Sequence, residues 1–109
     1  MTFDRGQIVW VNFNPQRGHE QAGRRPALVI SPKAYNALSN CVLVCPITSN
    51  IASWSWKVML PEGEEITGAV LVDQIKSIDA KARNLEDAGQ SIDPQSLDEV
   101  LARLATLVA

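Results

Sequence analysis

The sequence predicts a small, strongly bent β-barrel closed by one C-terminal helix. Three observations lead there. Short β-rich runs recur along a chain of 109 residues, turn-forming residues separate them, and a single long stretch with helical spacing stands at the end. The chain is 46% apolar and 20% charged, an ordinary globular balance, and its length suits one domain. A domain of this size buries only about two-thirds of its unfolded surface, so a subunit interface would add materially to its stability.

Residues 7–13 form the first strand, with Ile8 and Trp10 on one face and Val9, Val11 and Phe13 on the other, as in a strand covered on both sides. Asn14, Pro15 and Gly18 break it, and a loop runs to about Arg24 before residues 26–30 resume as a second strand entered through Pro26. Hairpin loops usually have two to five residues, and one this long is often functional. Ser31 and Pro32 have the chemistry of a helix N-cap and first position, so a short helix is expected over 32–38.

Residues 42–45 read as a buried third strand ending at Pro46, 54–60 as a fourth, and 69–72 as a fifth continuing towards Ile75. A polar turn at 61–65 joins the last two. Ile92, Asp93, Pro94 and Leu97 occupy N′, N-cap, N1 and N4 of the final helix, pairing a cap with a hydrophobic staple. Leu97, Leu101, Leu104 and Val108, flanked by Val100 and Leu107, form its apolar stripe.

Several functions are disfavoured by what the sequence lacks. No run approaches the roughly 20 apolar residues of a membrane span, and residues 1–5 have no signal-peptide core, so a cytoplasmic protein without membrane contact is expected. Cys41 and Cys45 are four apart in a strand, which sets their Cα atoms roughly 13 Å apart and excludes a disulfide between them. With one histidine and no C-x-x-C pair, a structural zinc site is not expected, nor is a cofactor. The net charge is −2, yet residues 1–40 carry +3 and residues 84–109 carry −4, which allows a local basic site on an acidic protein.

The loop Gly18-His19-Glu20-Gln21-Ala22-Gly23-Arg24-Arg25-Pro26 carries groups suited to phosphate chemistry. RNA is cut without metal when a base takes the 2′-hydroxyl proton, a cation holds the phosphorane oxygens and the 5′-oxygen receives a proton. Glu20 or His19 offers the base, Arg25 a planar two-pronged contact, and Thr48 a further hydrogen-bond donor. Taken alone, Glu20 and Arg25 are equally consistent with an exposed loop clamp, and Thr48 with a hydroxyl that satisfies a turn.

That run, with Pro46-Ile47-Thr48 and residues 72–79 (VDQIKSID), resembles the MazF/PemK family of toxin endoribonucleases, in the family's order over nearly the whole chain. The resemblance implies an SH3-like antiparallel barrel with a C-terminal helix, assembled as a homodimer. It implies a toxin of a type II toxin–antitoxin pair that cleaves single-stranded RNA at a sequence motif, leaving a 2′,3′-cyclic phosphate and a 5′-hydroxyl. A MazE-like antitoxin would cover the RNA groove. The Glu of G-x-E-Q-x-G, the Arg before Pro and the Thr of the second block map onto Glu20, Arg25 and Thr48. Glu20 then serves as general base, and Arg25 stabilises the transition state and protonates the leaving group.

Further RNA contacts are expected from Arg17, His19, Gln21, Arg24, Lys33, Ser49 and Ser53. Trp54 and Trp56 either stack on bases or belong to core or interface. PemK/Kid-like members carry an arginine two residues before the Asp73 position, where this chain has Leu71, so the MazF-like branch fits better and Asp73 reads as a structural acceptor or dimer contact. The rival reading is a CcdB-like toxin of related fold that binds a DNA topoisomerase and performs no chemistry.

Overall fold

A computed structural model describes residues 2–13 and 23–108. Seven strands and two α-helices follow in the order β1 (Gln7–Asn12), β2 (Arg24–Val29), α1 (Lys33–Ser39), β3 (Cys41–Thr48), β4 (Lys57–Met59) and β5 (Ala69–Leu71). A single 3-10 turn (Val72–Gln74) leads to β6 (Lys76–Asp79), β7 (Glu86–Ser91) and α2 (Pro94–Val108). The strands pair antiparallel in the order β4-β5-β3-β2-β1-β7, with β6 attached to β3.

β3 is the hinge of this sheet. Its first half pairs with β6, from Cys41↔Asp79 to Val44↔Lys76, and its end pairs with β5 through Ile47↔Val70 and Thr48↔Ala69. The strand therefore runs through Pro46 rather than ending there. Pro46 lacks an N–H, and it stands at the last β2 partner, Ala27, where β3 leaves one neighbour and turns to another.

The alternation of β1 divides the interior as its sequence requires. Ile8 and Trp10 join Leu28, Cys45, Ile47, Val70 and Val100 in one cluster, and Val9, Val11 and Phe13 join Ala27, Val29, Val42, Val44 and Ile78 in the other. α2 lays Leu97, Val100, Leu101 and Leu104 on the first cluster. Leu107 and Val108 extend beyond it and are exposed. The Asp93 carboxylate accepts the Ser96 N–H at 3.0 Å, and these Ser96 hydrogen bonds hold its pKa below the usual carboxylate value.

Among the described residues the ends of the sheet, β4 and β7, do not pair, so backbone pairing between these residues does not close the barrel. A side chain spans the seam instead. Gln90 of β7 accepts the Ile66 N–H and donates to the Ile66 carbonyl, both at 3.0 Å.

Two local readings change. Pro32, not Ser31, is the N-cap of α1, and it makes no side-chain capping bond. The Ser31 hydroxyl is buried, donating to Asn36 Oδ1 and accepting the Leu43 N–H, which ties α1 to β3. The fourth strand starts at Lys57 rather than Trp54, because the chain turns just before it, with the Lys57 N–H donating to the Trp54 carbonyl at 3.1 Å.

Candidate active site

The candidate site lies where β2 begins and β3 ends. At its root the Phe13 N–H donates to the Gly23 carbonyl at 2.8 Å, so residues 13 and 23 come together at the end of the β1–β2 pair. Arg24 and Arg25 follow at once, opposite Asn12 and Val11. Alternation sends their side chains to opposite faces. Arg25 is exposed, on the side of the sheet to which Ala27 and Val29 belong. Arg24 turns the other way, with Nη2 2.9 Å from the Glu86 carboxylate and Nη1 donating to the Asn84 carbonyl at 3.5 Å.

Thr48 reaches the same place from β3. β2 and β3 pair as Ala27↔Pro46, Leu28↔Cys45 and Val29↔Val44, so Arg25 and Thr48 each stand two residues beyond the last pair, at the same end of the two strands. Both share the strand parity of the Ala27↔Pro46 pair. The Thr48 hydroxyl accepts the Asn50 N–H at 3.1 Å, which orients the oxygen and leaves its proton for an acceptor outside the loop. Its backbone is held from behind by Gly68 at φ +112°, where a Cβ would come 2.1 Å from the Thr48 carbonyl oxygen. Only glycine fits there.

A cavity of about 270 Å³ opens beside Thr48, lined by Asn50, Trp54, Lys57, Leu71, Asp73 and Gln74. Trp54 is 52% exposed, and its indole N–H donates to Asp73 Oδ2 at 3.1 Å. Asp73 is thus a hydrogen-bond acceptor, one of the two roles its sequence context suggested. Lys57 directs its ammonium into the loop, donating to the Asn50 and Ala52 carbonyls at 2.8 and 2.9 Å. Beneath this wall lies the Cys45 thiol, whose pKa is pushed up to about 12 by burial and then by the Asp73 charge. It stays protonated and inert at neutral pH.

Of the expected site residues, Arg25, Thr48 and Ser49 are brought to this end of the sheet, with Ser53 in the loop that follows. Arg17, His19, Glu20 and Gln21 lie outside the described residues. Arg24 shares the location but is committed to Glu86. Lys33 is at the start of α1, at the other end of β2, where its backbone N–H donates to Asp4.

Sequence reasoning passed over Lys76. Its ammonium sits 5.7 Å from the centre of the Phe13 ring, and its pairing with Val44 places it on the Arg25 face. The signal was present in Lys76-Ser77-Ile78, since Lys76 shares the parity of the buried Ile78.

Residues 4–108 match the family model of the PemK-like, MazF-like toxin of type II toxin–antitoxin systems. The chain belongs to that family. It is 38% identical over 105 residues to the endoribonuclease toxin MazF of Escherichia coli strain K12, covering 96% of this chain and 93% of that one. It is 41% identical over 112 residues to the endoribonuclease toxin ChpB of the same strain, covering 97% and 94%. The crystal structure of MazF (Form-I) from Deinococcus radiodurans superposes with a TM-score of 0.92 at 41% identity, over 99% of this chain and 97% of that chain. The MazE–MazF complex (Form-II) from the same organism gives a TM-score of 0.86 at 35% identity, over 100% and 97%. These relatives support the MazF-like reading over a topoisomerase-binding toxin. Like them, this family member is mostly antiparallel sheet with a C-terminal helix.

Proposed function

We propose that this family member is the toxin of a type II toxin–antitoxin pair and a metal-independent, sequence-specific endoribonuclease acting on single-stranded RNA. The observation that carries the reading is that Arg25 and Thr48 stand at the same end of the paired strands β2 and β3, in a chain whose relatives are endoribonucleases. Glu20 takes the proton of the 2′-hydroxyl. The 2′-oxygen bonds to phosphorus, the bond to the 5′-oxygen breaks, and a 2′,3′-cyclic phosphate and a 5′-hydroxyl result. Arg25 holds the non-bridging oxygens through its guanidinium and supplies the proton to the leaving oxygen, while the Thr48 hydroxyl donates a hydrogen bond to the phosphate. No step requires a metal or cofactor.

Arg17, His19, Gln21, Ser49 and Ser53 are proposed to contact flanking nucleotides. Arg24 joins them only where RNA displaces Glu86, and the position of Lys33 removes it from a track centred on Arg25. The active form is a homodimer of single-domain subunits, and a MazE-like antitoxin with an acidic segment competes with RNA for the basic groove. A MazE–MazF complex among its structural neighbours supports that partnership. No helix among the described residues is long and apolar enough to cross a membrane, which fits action on RNA in the cytoplasm.

The test is cleavage of a long mixed-sequence RNA in EDTA, wild type beside Arg25→Ala, with 5′ ends mapped and folding checked by circular dichroism. Cuts at a short recurrent motif, lost in a folded variant, support the proposal. Intact RNA with folded wild type refutes it.

A further inference from the structure

We propose that Glu86 occupies Arg24 in the free protein as a built-in competitor for RNA, so that binding exchanges the Glu86 carboxylate for a phosphate of the RNA backbone on the Arg24 guanidinium. The inference rests on the ribonuclease reading above and adds to it a pair of residues that sets affinity rather than the cut itself.

Two observations carry it. The first is that the acceptors are fixed while the cation is not. Asn84 and Glu86 follow a braced turn between β6 and β7: Asp79 Oδ1 accepts the Lys81 and Ala82 N–H groups, both at 3.0 Å, and the Asn84 N–H donates to the Lys81 carbonyl at 3.1 Å. The turn is joined to the end of β1, where the Asn12 N–H donates to the Arg83 carbonyl at 3.0 Å, and Glu86 is held in β7 opposite Trp10. Arg24, by contrast, is the first residue of β2 and stands opposite Asn12, the last of β1. Its long side chain therefore leaves from the end of the sheet and is the partner able to swing.

The second is that the pair is open and incompletely made. Arg24 Nη2 lies 2.9 Å from the Glu86 carboxylate, but Nη1 reaches only the Asn84 carbonyl at 3.5 Å, beyond the usual N–H···O range, and the two side chains are 39% and 59% exposed. An exposed ion pair of this kind is worth about 5-fold or less in an equilibrium constant. A phosphodiester presents two oxygens to both prongs of a guanidinium. Exchange of the carboxylate for a phosphate thus costs little and completes the contact. Arg25, one residue on, is assigned to the cleaved phosphate, so Arg24 serves a phosphate further along the same strand.

Affinity for an oligonucleotide blocked by 2′-O-methylation, measured over a range of salt, would test this in wild type, Glu86→Gln, Arg24→Gln, the double variant and Asp87→Asn, with melting and cleavage of unblocked RNA followed alongside. Asp87 is the control: it pairs with Val9 where Glu86 pairs with Trp10, so it carries the same charge on the other face of β7, and its carboxylate accepts the Gly89 N–H at 2.9 Å. Glu86→Gln is expected to bind about 3- to 5-fold more tightly than wild type, and Asp87→Asn to gain less. Adding Arg24→Gln should abolish the Glu86→Gln gain and lower the slope of log affinity against log salt by about 0.7, the mark of one lost phosphate contact to a single strand. A gain in Glu86→Gln no larger than in Asp87→Asn, or one that persists in the double variant, would reduce the effect to net charge and overturn the inference. Lowered Tm in Glu86→Gln and Arg24→Gln alike, with affinity and slope unchanged, would make the pair a structural clasp and overturn it too. Either of these results, obtained with wild type that cuts RNA, leaves the ribonuclease reading intact. Wild type that cuts no RNA would remove both.

Discussion

Gly68→Ala probes how the site is positioned without touching a group that meets the substrate. Gly68 sits at φ +112°, and the added Cβ would lie 2.1 Å from the Thr48 carbonyl oxygen and 3.0 Å from its carbon. Real Cβ contacts scarcely fall below 3.0 Å, so one backbone must move by about an ångström. The neighbour cannot swing away, because Thr48 pairs with Ala69, the residue after Gly68. The conformation alone costs an alanine about 1–2 kcal/mol. With displacement added, a total near 3 kcal/mol lowers Tm by roughly 10–20 °C in a domain of about this size. A misplacement of about 1 Å at a catalytic group costs on the order of 100-fold in rate. Gly63→Ala is the control: φ is +93° there, but nothing lies within 4 Å of the new Cβ, so strain arises without a clash and without a link to Thr48. Melting followed by circular dichroism, with cleavage assayed well below both Tm values, separates the effects. Gly68→Ala should lose far more activity than Gly63→Ala while still folded. Equal activity in the two variants would refute the claim that Gly68 positions Thr48.

Thr48→Val removes the hydroxyl at nearly constant shape and should cost about 100-fold in cleavage, the scale of one lost transition-state donor, whereas Thr48→Ser should retain most of it; cleavage time courses on one oligonucleotide decide between them. The Cys45 thiol gives a pH dependence of definite sign. Its folded pKa, about 12, lies above the value near 8.5 of an unfolded thiol, so its contribution is complete below about pH 8.5 and is lost as pH rises towards 12. Denaturant midpoints from pH 8 to 11 should fall more steeply in wild type than in Cys45→Ala. In native protein at pH 8 the half-buried Cys41 should be alkylated well before Cys45, as mass spectrometry of tryptic peptides would show.

The parts of the fold legible in the sequence are those where burial dictates residue type. The division of β1 into Ile8 and Trp10 against Val9, Val11 and Phe13 is such a case, as is the cap and staple of α2. β7 escaped because its sequence, EDAGQS, is polar: it is an end strand held by backbone pairing to β1, with a register shift at Ile8/Val9. Pro46 read as a terminator, since its missing N–H is tolerated only because β3 changes partner there. Ser31 read as a cap because cap preference is local, whereas its real partners, Asn36 and Leu43, are set by tertiary packing. At the site, Arg25 and Thr48 were visible as motif residues, but the Trp54–Asp73 bond joins residues 19 apart with no periodic signal, and Arg24 was diverted by Glu86 from β7. Lys76 required strand parity to be read in a segment whose strand had no firm boundary.

The central claim is that the attacking group is the RNA's own 2′-hydroxyl, activated at a site built around Arg25 and Thr48. Its most direct test is a single 2′-deoxy substitution at the cut nucleotide of an otherwise all-ribose oligonucleotide. The account predicts that cleavage at that bond disappears while binding persists and that the unmodified oligonucleotide yields a 2′,3′-cyclic phosphate end. Continued cleavage at the deoxy position, or a product bearing a 5′-phosphate, would contradict it.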